Sequence, residues 1–205
     1  MDKQIDGSVA NEYSGHSVSL SSDGTTVAIG VPYANNGKGL TRIYKWNSQN
    51  SSWSMIGSEI TGSTDNEQSG HSISLSSDGT TVAVGAPYAN FSKGLTRIYK
   101  WNGQVWDMTT QIDGTGRGGY SVSLSSDGTT VAIGAPYARY LSIGSTLIYK
   151  WNGQDWVMTK QIDGITSIYE YSGWSVSLSS DGTTVAIGAP NANDNMGAAR
   201  IYKYQ

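Results

Sequence analysis

The chain has no cysteine, one phenylalanine, four prolines and only 14% charged residues. The missing cysteine excludes disulfides, thiolate metal sites and thiol nucleophiles together, and leaves the compartment open. The net charge is −3 and no Lys/Arg cluster occurs, so counterion release has little to act on and no nucleic-acid partner is expected. No apolar run reaches the roughly 18 residues that a membrane span needs. Met1 leads into "DKQIDG" rather than a basic and then apolar leader, so neither membrane insertion nor a secretion signal is expected. Nucleophile motifs, phosphate-binding glycine loops and metal-binding histidine pairs are also missing.

What the chain has in abundance is glycine (26), tyrosine (13) and tryptophan (7), set among Ser, Thr, Val and Ile. That mixture suits strands joined by tight turns, with rings that keep a polar end near water. The stretch "SSDGTTVAIG" at 21–30 returns with at most one change at 76–85, 125–134 and 179–188, and its aspartates Asp23, Asp78, Asp127 and Asp181 are spaced by 55, 49 and 54 residues. Such a period marks a repeat array such as a propeller. Each unit holds four strand signals: "SVSL", "TTVAIG", "TRIYKW" and, in the third copy, "WVMTKQIDG".

The Asp-Gly pair between the first two signals favours a tight turn, which sets Leu20 opposite Val27 and Val18 opposite Ile29. A slip of one residue would mismatch the hydrophobic pattern. The Asn-Gly pair of "KWNGQ" predicts a second hairpin, with Tyr149 opposite Trp156 and Lys150 opposite Asp155. Most tryptophans then serve sheet packing.

The chain begins "MDKQIDG", the sequence of a fourth strand, and finishes "IYKYQ", where its last unit lacks one. Pairing residues 1–4 with about 197–200 would complete the last unit and close a ring without exposed edges. The expected fold is all-β: a single four-bladed β-propeller domain over 1–205, four antiparallel strands per blade, with the N-terminal strand completing the last blade. Its units are approximately 8–62, 63–114, 115–164 and 165–205 plus 1–7.

The units resemble FG-GAP repeats, the blades of integrin-α-type β-propellers. The resemblance spans the chain and rests on Gly30-Val31-Pro32, Gly85-Ala86-Pro87, Gly134-Ala135-Pro136 and Gly188-Ala189-Pro190, each preceded by a Gly-x-Ser-Val/Ile-Ser segment at Gly15, Gly70, Gly119 or Gly173. It implies a role in binding or adhesion and an extracellular or cell-surface setting. Two departures matter: Ser14, Ser69, Gly118 and Ser172 replace the family phenylalanine, and the acidic calcium loop has shrunk to "SSDG". Calcium takes about six to eight oxygen ligands, which one Asp on a short turn cannot supply. No metal or other cofactor is expected, and the four aspartates are turn residues.

Comparing the four units separates a monotonous rim ("SSDG", "WNGQ") from a variable one, whose loops run "SVANEYSGH", "STDNEQSGH", "TGRGGY" and "ITSIYEYSGW" before the first strand of each unit. Binding residues favour variable loops on a rigid scaffold. His16, His71, Tyr120 and Trp174 precede the innermost strands and should crowd the channel mouth, with Tyr33, Tyr88, Tyr137 and Asn191 further out. They either contact a glycan or protein ligand or plug the axis. The histidines occupy the register of Tyr and Trp, which argues against a metal site. Glu12, Glu67 and Glu170 also recur in one register, so repetition accounts for them without glycoside hydrolysis. The chain is therefore expected to be a non-catalytic binding module, with a structural or assembly role as the alternative. A monomer is expected, the alternative being two chains in a larger ring.

Overall fold

The computed structural model describes residues 3–165 and 168–204. Those residues build four antiparallel sheets in succession. The first comprises β1 (Ser17–Leu20), β2 (Thr26–Val31), β3 (Leu40–Asn47) and β4 (Ser52–Met55), with β5 (Ile60–Thr61) also on β3. The second comprises β6 (Ser72–Leu75), β7 (Thr81–Ala86), β8 (Leu95–Trp101) and β9 (Trp106–Asp113). The third comprises β10 (Ser121–Leu124), β11 (Thr130–Ala135), β12 (Ser145–Trp151) and β13 (Trp156–Asp163). The last has three strands, β14 (Ser175–Leu178), β15 (Thr184–Ala189) and β16 (Ala198–Lys203).

The first hairpin takes the expected register, Leu20 against Val27 and Val18 against Ile29, and repeats it in every sheet. Each turn is held by its aspartate. The Asp127 carboxylate accepts from Ser125 Oγ at 2.6 Å, from the Thr129 amide at 3.0 Å and from Thr129 Oγ1 at 2.8 Å. The second hairpin departs from expectation. Trp151 faces Trp156, Tyr149 faces Met158 and Lys150 faces Val157. The reason is the Asn152 side chain, whose Oδ1 accepts from the amides of Gln154 and Asp155, both at 2.8 Å, and so opens a four-residue loop where a two-residue turn was expected.

The cores lie between sheets, not within them. Ala28, Ile43 and Ile60 of the first sheet pack on Ile73, Leu75, Val82 and Val84 of the second. Ala83, Ile98 and Ile112 meet Val122, Leu124, Val131 and Ile133, and Ala132, Ile148 and Ile162 meet Val185 and Ile187 with Val176 and Leu178. Each fully buried aliphatic side chain contributes about 1.5–3 kcal/mol. A sheet thus has an aliphatic face for its predecessor and an Ala-Ile-Ile face for its successor. The first strands run side by side along the inside, β1 by β6, β6 by β10 and β10 by β14.

The array does not close on itself. Residues 3–7 form no strand, and among the described residues β16 pairs with β15 alone. Lys3 and Ile5 lie instead over the first sheet, in a hollow shared with Val18, Leu20, Val27 and Ile29. The expected docking of residues 1–4 on 197–200 is therefore corrected: the described part of the N-terminal segment stays on the first sheet and leaves the last without a fourth strand. Met1, Asp2 and Gln205, and residues 166–167 of the fourth variable loop, lie outside the described residues.

Candidate functional site

The loops before β1, β6, β10 and β14 share one turn. Tyr13, Gln68, Arg117 and Tyr171 stand two residues before the glycine of each unit, at φ 55–59°. The carbonyl of each accepts the amide three residues on, that of His16, His71, Tyr120 or Trp174, at 3.1 Å. A left-handed residue with a side chain is uncommon and clusters at functional sites. Of the 19 described non-glycine residues with positive φ, 18 lie on this rim, Ser51 being the other. The loops after β2, β7 and β15 also turn through left-handed pairs, Asn35-Asn36, Asn90-Phe91 and Asn193-Asp194.

This repeated turn brings the predicted rings together. His16 lies 5.0 Å from His71, His71 lies 4.8 Å from Tyr120, and Tyr120 lies 4.7 Å from Trp174, centroid to centroid. Beside this row stands a second: Tyr33 is 6.5 Å from His16, Tyr88 is 6.5 Å from His71 and Tyr137 is 6.2 Å from Tyr120. His16 and Trp174 are not in contact among the described residues, so the expected cup around a channel is a double aromatic row along an open array. Asn191 does not join it. It heads the Ala192–Asn195 turn, its amide 3.4 Å from the Glu170 carbonyl.

Sequence reasoning missed three members. Tyr13 packs on Tyr33 at 5.1 Å, Tyr171 on Tyr137 at 5.2 Å, and the Arg117 guanidinium lies between Tyr88 (4.7 Å) and Tyr137 (4.1 Å). All three come from the left-handed position, so their signal was the residue two before each unit's glycine. Each cation–π contact contributes about 0.5–2 kcal/mol.

Burial, the neighbouring His16 and the Arg117 charge lower the His71 pKa to about 4, with the Tyr120 backbone opposing. The centre of the row is thus neutral at ordinary pH, and His71 Nδ1 is buried without a hydrogen-bond partner. Burial pushes the Tyr120 hydroxyl up. The row therefore offers π faces and neutral polar edges. At the loop tips Phe91, Tyr140 and Met196 are fully or largely exposed.

The three rim glutamates do other work. Glu12 meets Arg42 at 3.0 Å, Glu67 meets Arg97 at 2.5 Å and Glu170 meets Arg200. Their carboxylates also accept loop amides, those of Ser8, Ser63 and Ile165. Each holds its loop to the third strand of its own sheet.

No family model and no curated protein matches this sequence. Solved structures do resemble it. The Sqt1 of Chaetomium thermophilum superposes with a TM-score of 0.63 at 16% identity, over 95% of this chain and 45% of that one. The hydrazine synthase of Kuenenia stuttgartiensis gives 0.61 at 14% identity, over 98% of this chain and 49% of that one. The chain spans less than half the length of either. These likenesses support an all-β, propeller-like fold and bear on nothing else.

Proposed function

We propose that the chain is a non-catalytic binding module of FG-GAP type, its four sheets acting as propeller blades, which takes a glycan on its double aromatic row. The observation that carries this reading is the continuous row from His16 through His71 and Tyr120 to Trp174, held by a strained turn repeated in four otherwise variable loops. Ring faces stack on the apolar faces of sugars while their polar edges reach hydroxyls. Four similar stations in line suit a ligand that repeats, because weak contacts then add through avidity. The rim glutamates are bound to arginines, which supports a binding role over one as the paired carboxylates of glycoside hydrolysis.

A glycan array, with a peptide array beside it, tests this. A glycan hit lost on joint Tyr120→Ala and Trp174→Ala substitution, with the melting temperature little changed, is the expected outcome. Silence on the glycan array, or a hit indifferent to those substitutions, counts against it, and a hit on peptides alone assigns the rim to a protein partner.

A second reading, assembly, is favoured by a different observation. Val18, Leu20 and Ile201 are 65%, 59% and 75% exposed, whereas their equivalents in the inner sheets are buried. The first and last sheets thus each show an unpacked face.

A further inference from the structure

The contacts between successive sheets occur three times with the same atoms, so the partners missing at the two ends can be named. The Leu75, Leu124 and Leu178 amides donate to Ser19, Ser74 and Ser123 Oγ of the preceding sheet, at 2.9–3.0 Å. Ser17, Ser72 and Ser121 Oγ donate to the Gly70, Gly119 and Gly173 carbonyls of the following one, at 2.8–2.9 Å. The Ser22, Ser77 and Ser126 amides donate to the Ser77, Ser126 and Ser180 carbonyls, each at 2.9 Å. Among the described residues, the equivalent groups at the two ends make none of these bonds: the Leu20 amide and the Gly15 and Ser22 carbonyls at one, Ser177 Oγ, Ser175 Oγ and the Ser180 amide at the other.

The glycines report the same vacancy. A Cβ on Gly30, Gly85 or Gly134 would lie 2.0–2.1 Å from the next sheet's carbonyl, whereas one on Gly188 would meet only its own Ser175. A Cβ on Gly79, Gly128 or Gly182 would lie 2.9–3.0 Å from a threonine of the preceding sheet, whereas nothing stands within 4 Å at Gly24.

The N-terminal segment fits this pattern. Ile5 lines one hollow with Val18, Leu20, Val27 and Ile29, the equivalents of Val122, Leu124, Val131 and Ile133, on which Ile112 of β9 packs. Gln4 donates to Asp6 as Gln111 does to Asp113 and Gln161 to Asp163, the side-chain bond that marks the end of a fourth strand. Lys3–Asp6 carries the pattern of a fourth strand but forms none, and β14–β16 is a sheet of three strands among the described residues.

We infer that a second copy of this chain fills the vacancy head to tail, with Lys3–Asp6 and the first sheet of one copy docking on the free edge of β16 and the last sheet of the other. The pairing found on β8, Leu95 with Asp113 and Thr96 with Ile112, transfers to Ala198 with Asp6, Ala199 with Ile5 and Arg200 with Gln4 across the two copies. The same sheet-to-sheet step, taken three times, leaves the ends of one chain unjoined. A fourth identical step therefore reaches beyond these four sheets, to a face that a second copy supplies. The contact is heterologous, so made twice it closes two chains into a ring of eight sheets, within the range of about four to eight that propellers adopt.

Light scattering on the full chain tests this. The expected mass is about 44 kDa, twice the 21.8 kDa chain. Leu20→Asp and Ile201→Asp alter side chains already exposed on a single copy, so each variant should keep its circular dichroism spectrum and scatter as one chain. Mixed together, they should regain the mass of two, since each retains the face that the other lacks. Val18→Asp and Ala186→Asp repeat the two arms should either first variant unfold. A native chain that stays single at every concentration, variants that keep the native mass, or a mixture that stays single-chain would each overturn the inference.

Discussion

Glu67 and Arg97, thirty residues apart in the chain, form an ion pair at 2.5 Å with side chains only 1% and 5% exposed. The carboxylate also accepts the Ser63 and Thr64 amides, and Arg97 Nη2 reaches Ser63 Oγ. Burial raises the Glu67 pKa, but the bonds from Arg97 and the Ser63 amide outweigh it and leave the group below its ordinary value. Removing one partner strands the other charge in an apolar setting. Arg97→Leu is expected to cost about 3–5 kcal/mol by urea unfolding. The third unit carries neither charge, with Gly116 and Leu147 at the equivalent positions. Adding Glu67→Gln to Arg97→Leu should therefore recover more than half of the loss, and a double variant no better than the single would refute the pairing argument.

The glycines of the second strands separate inner sheets from the last. A methyl group on Gly85 or Gly134 would sit 2.1 or 2.0 Å from a backbone carbonyl of the next sheet, which can yield only by parting the sheets. Gly85→Ala and Gly134→Ala are each expected to destabilise by about 2–3 kcal/mol. In a single copy Gly188→Ala meets only the movable Ser175 hydroxyl, and should cost under about 1 kcal/mol, since alanine also loses less backbone entropy in a strand. Equal losses at all three positions, measured on a single-chain variant such as Ile201→Asp, would argue that the last sheet is packed like the others.

These particulars show what the sequence made legible. The first hairpin was readable because an Asp-Gly turn and a two-residue alternation agree on one register, and the structure repeats it in four sheets. The second hairpin was misread by two residues because Asn152 captures two amides with its side chain, a choice that its Asn-Gly dipeptide does not announce. Closure was misread for another reason. "MDKQIDG" does have the side-chain pattern of a fourth strand, but local pattern cannot say how far three sheet-to-sheet steps carry β16 from it. The rings His16, His71, Tyr120 and Trp174 were found through repeat register. Arg117 was missed because its role depends on a left-handed backbone that places a long side chain between neighbouring units.

Arg117 ties two units together across the rim, with Tyr88 on one side and Tyr137 on the other. Arg117→Ala should lower stability by about 1–2 kcal/mol, the sum expected of two partly exposed cation–π contacts, whereas Arg117→Lys should retain part of it. Because the same residue orders the middle of the aromatic row, loss of glycan binding with Arg117→Ala should exceed that with Tyr33→Ala at its end. Calorimetric titration of a glycan hit reads the ranking, and the reverse order would detach Arg117 from the site.

Acid should lower the stability of the protein in two stages. His71 has its pKa lowered to about 4 from 6.5, so between those values the unfolded chain binds the proton and the folded chain does not. Stability from this group is complete above about pH 6.5 and falls as pH drops toward 4. The His71 ring faces His16, Arg117, Tyr88 and Tyr120, none of which offers a carboxylate to offset the charge it would gain. The turn aspartates act lower down. Hydrogen bonds from Ser21 and Thr25 bring Asp23 from 3.8 to about 2, and Asp78, Asp127 and Asp181 shift the same way. Depressed carboxylates stabilise above their unfolded pKa and lose that contribution as pH falls through the folded one, here from about 4 to about 2. Thermal melts on a single-chain variant should therefore show a first decline between pH 6.5 and 4 that His71→Phe removes, followed by a steeper one below pH 4 that it leaves intact. A His71→Phe chain that keeps the first decline would show that the buried histidine is not its source.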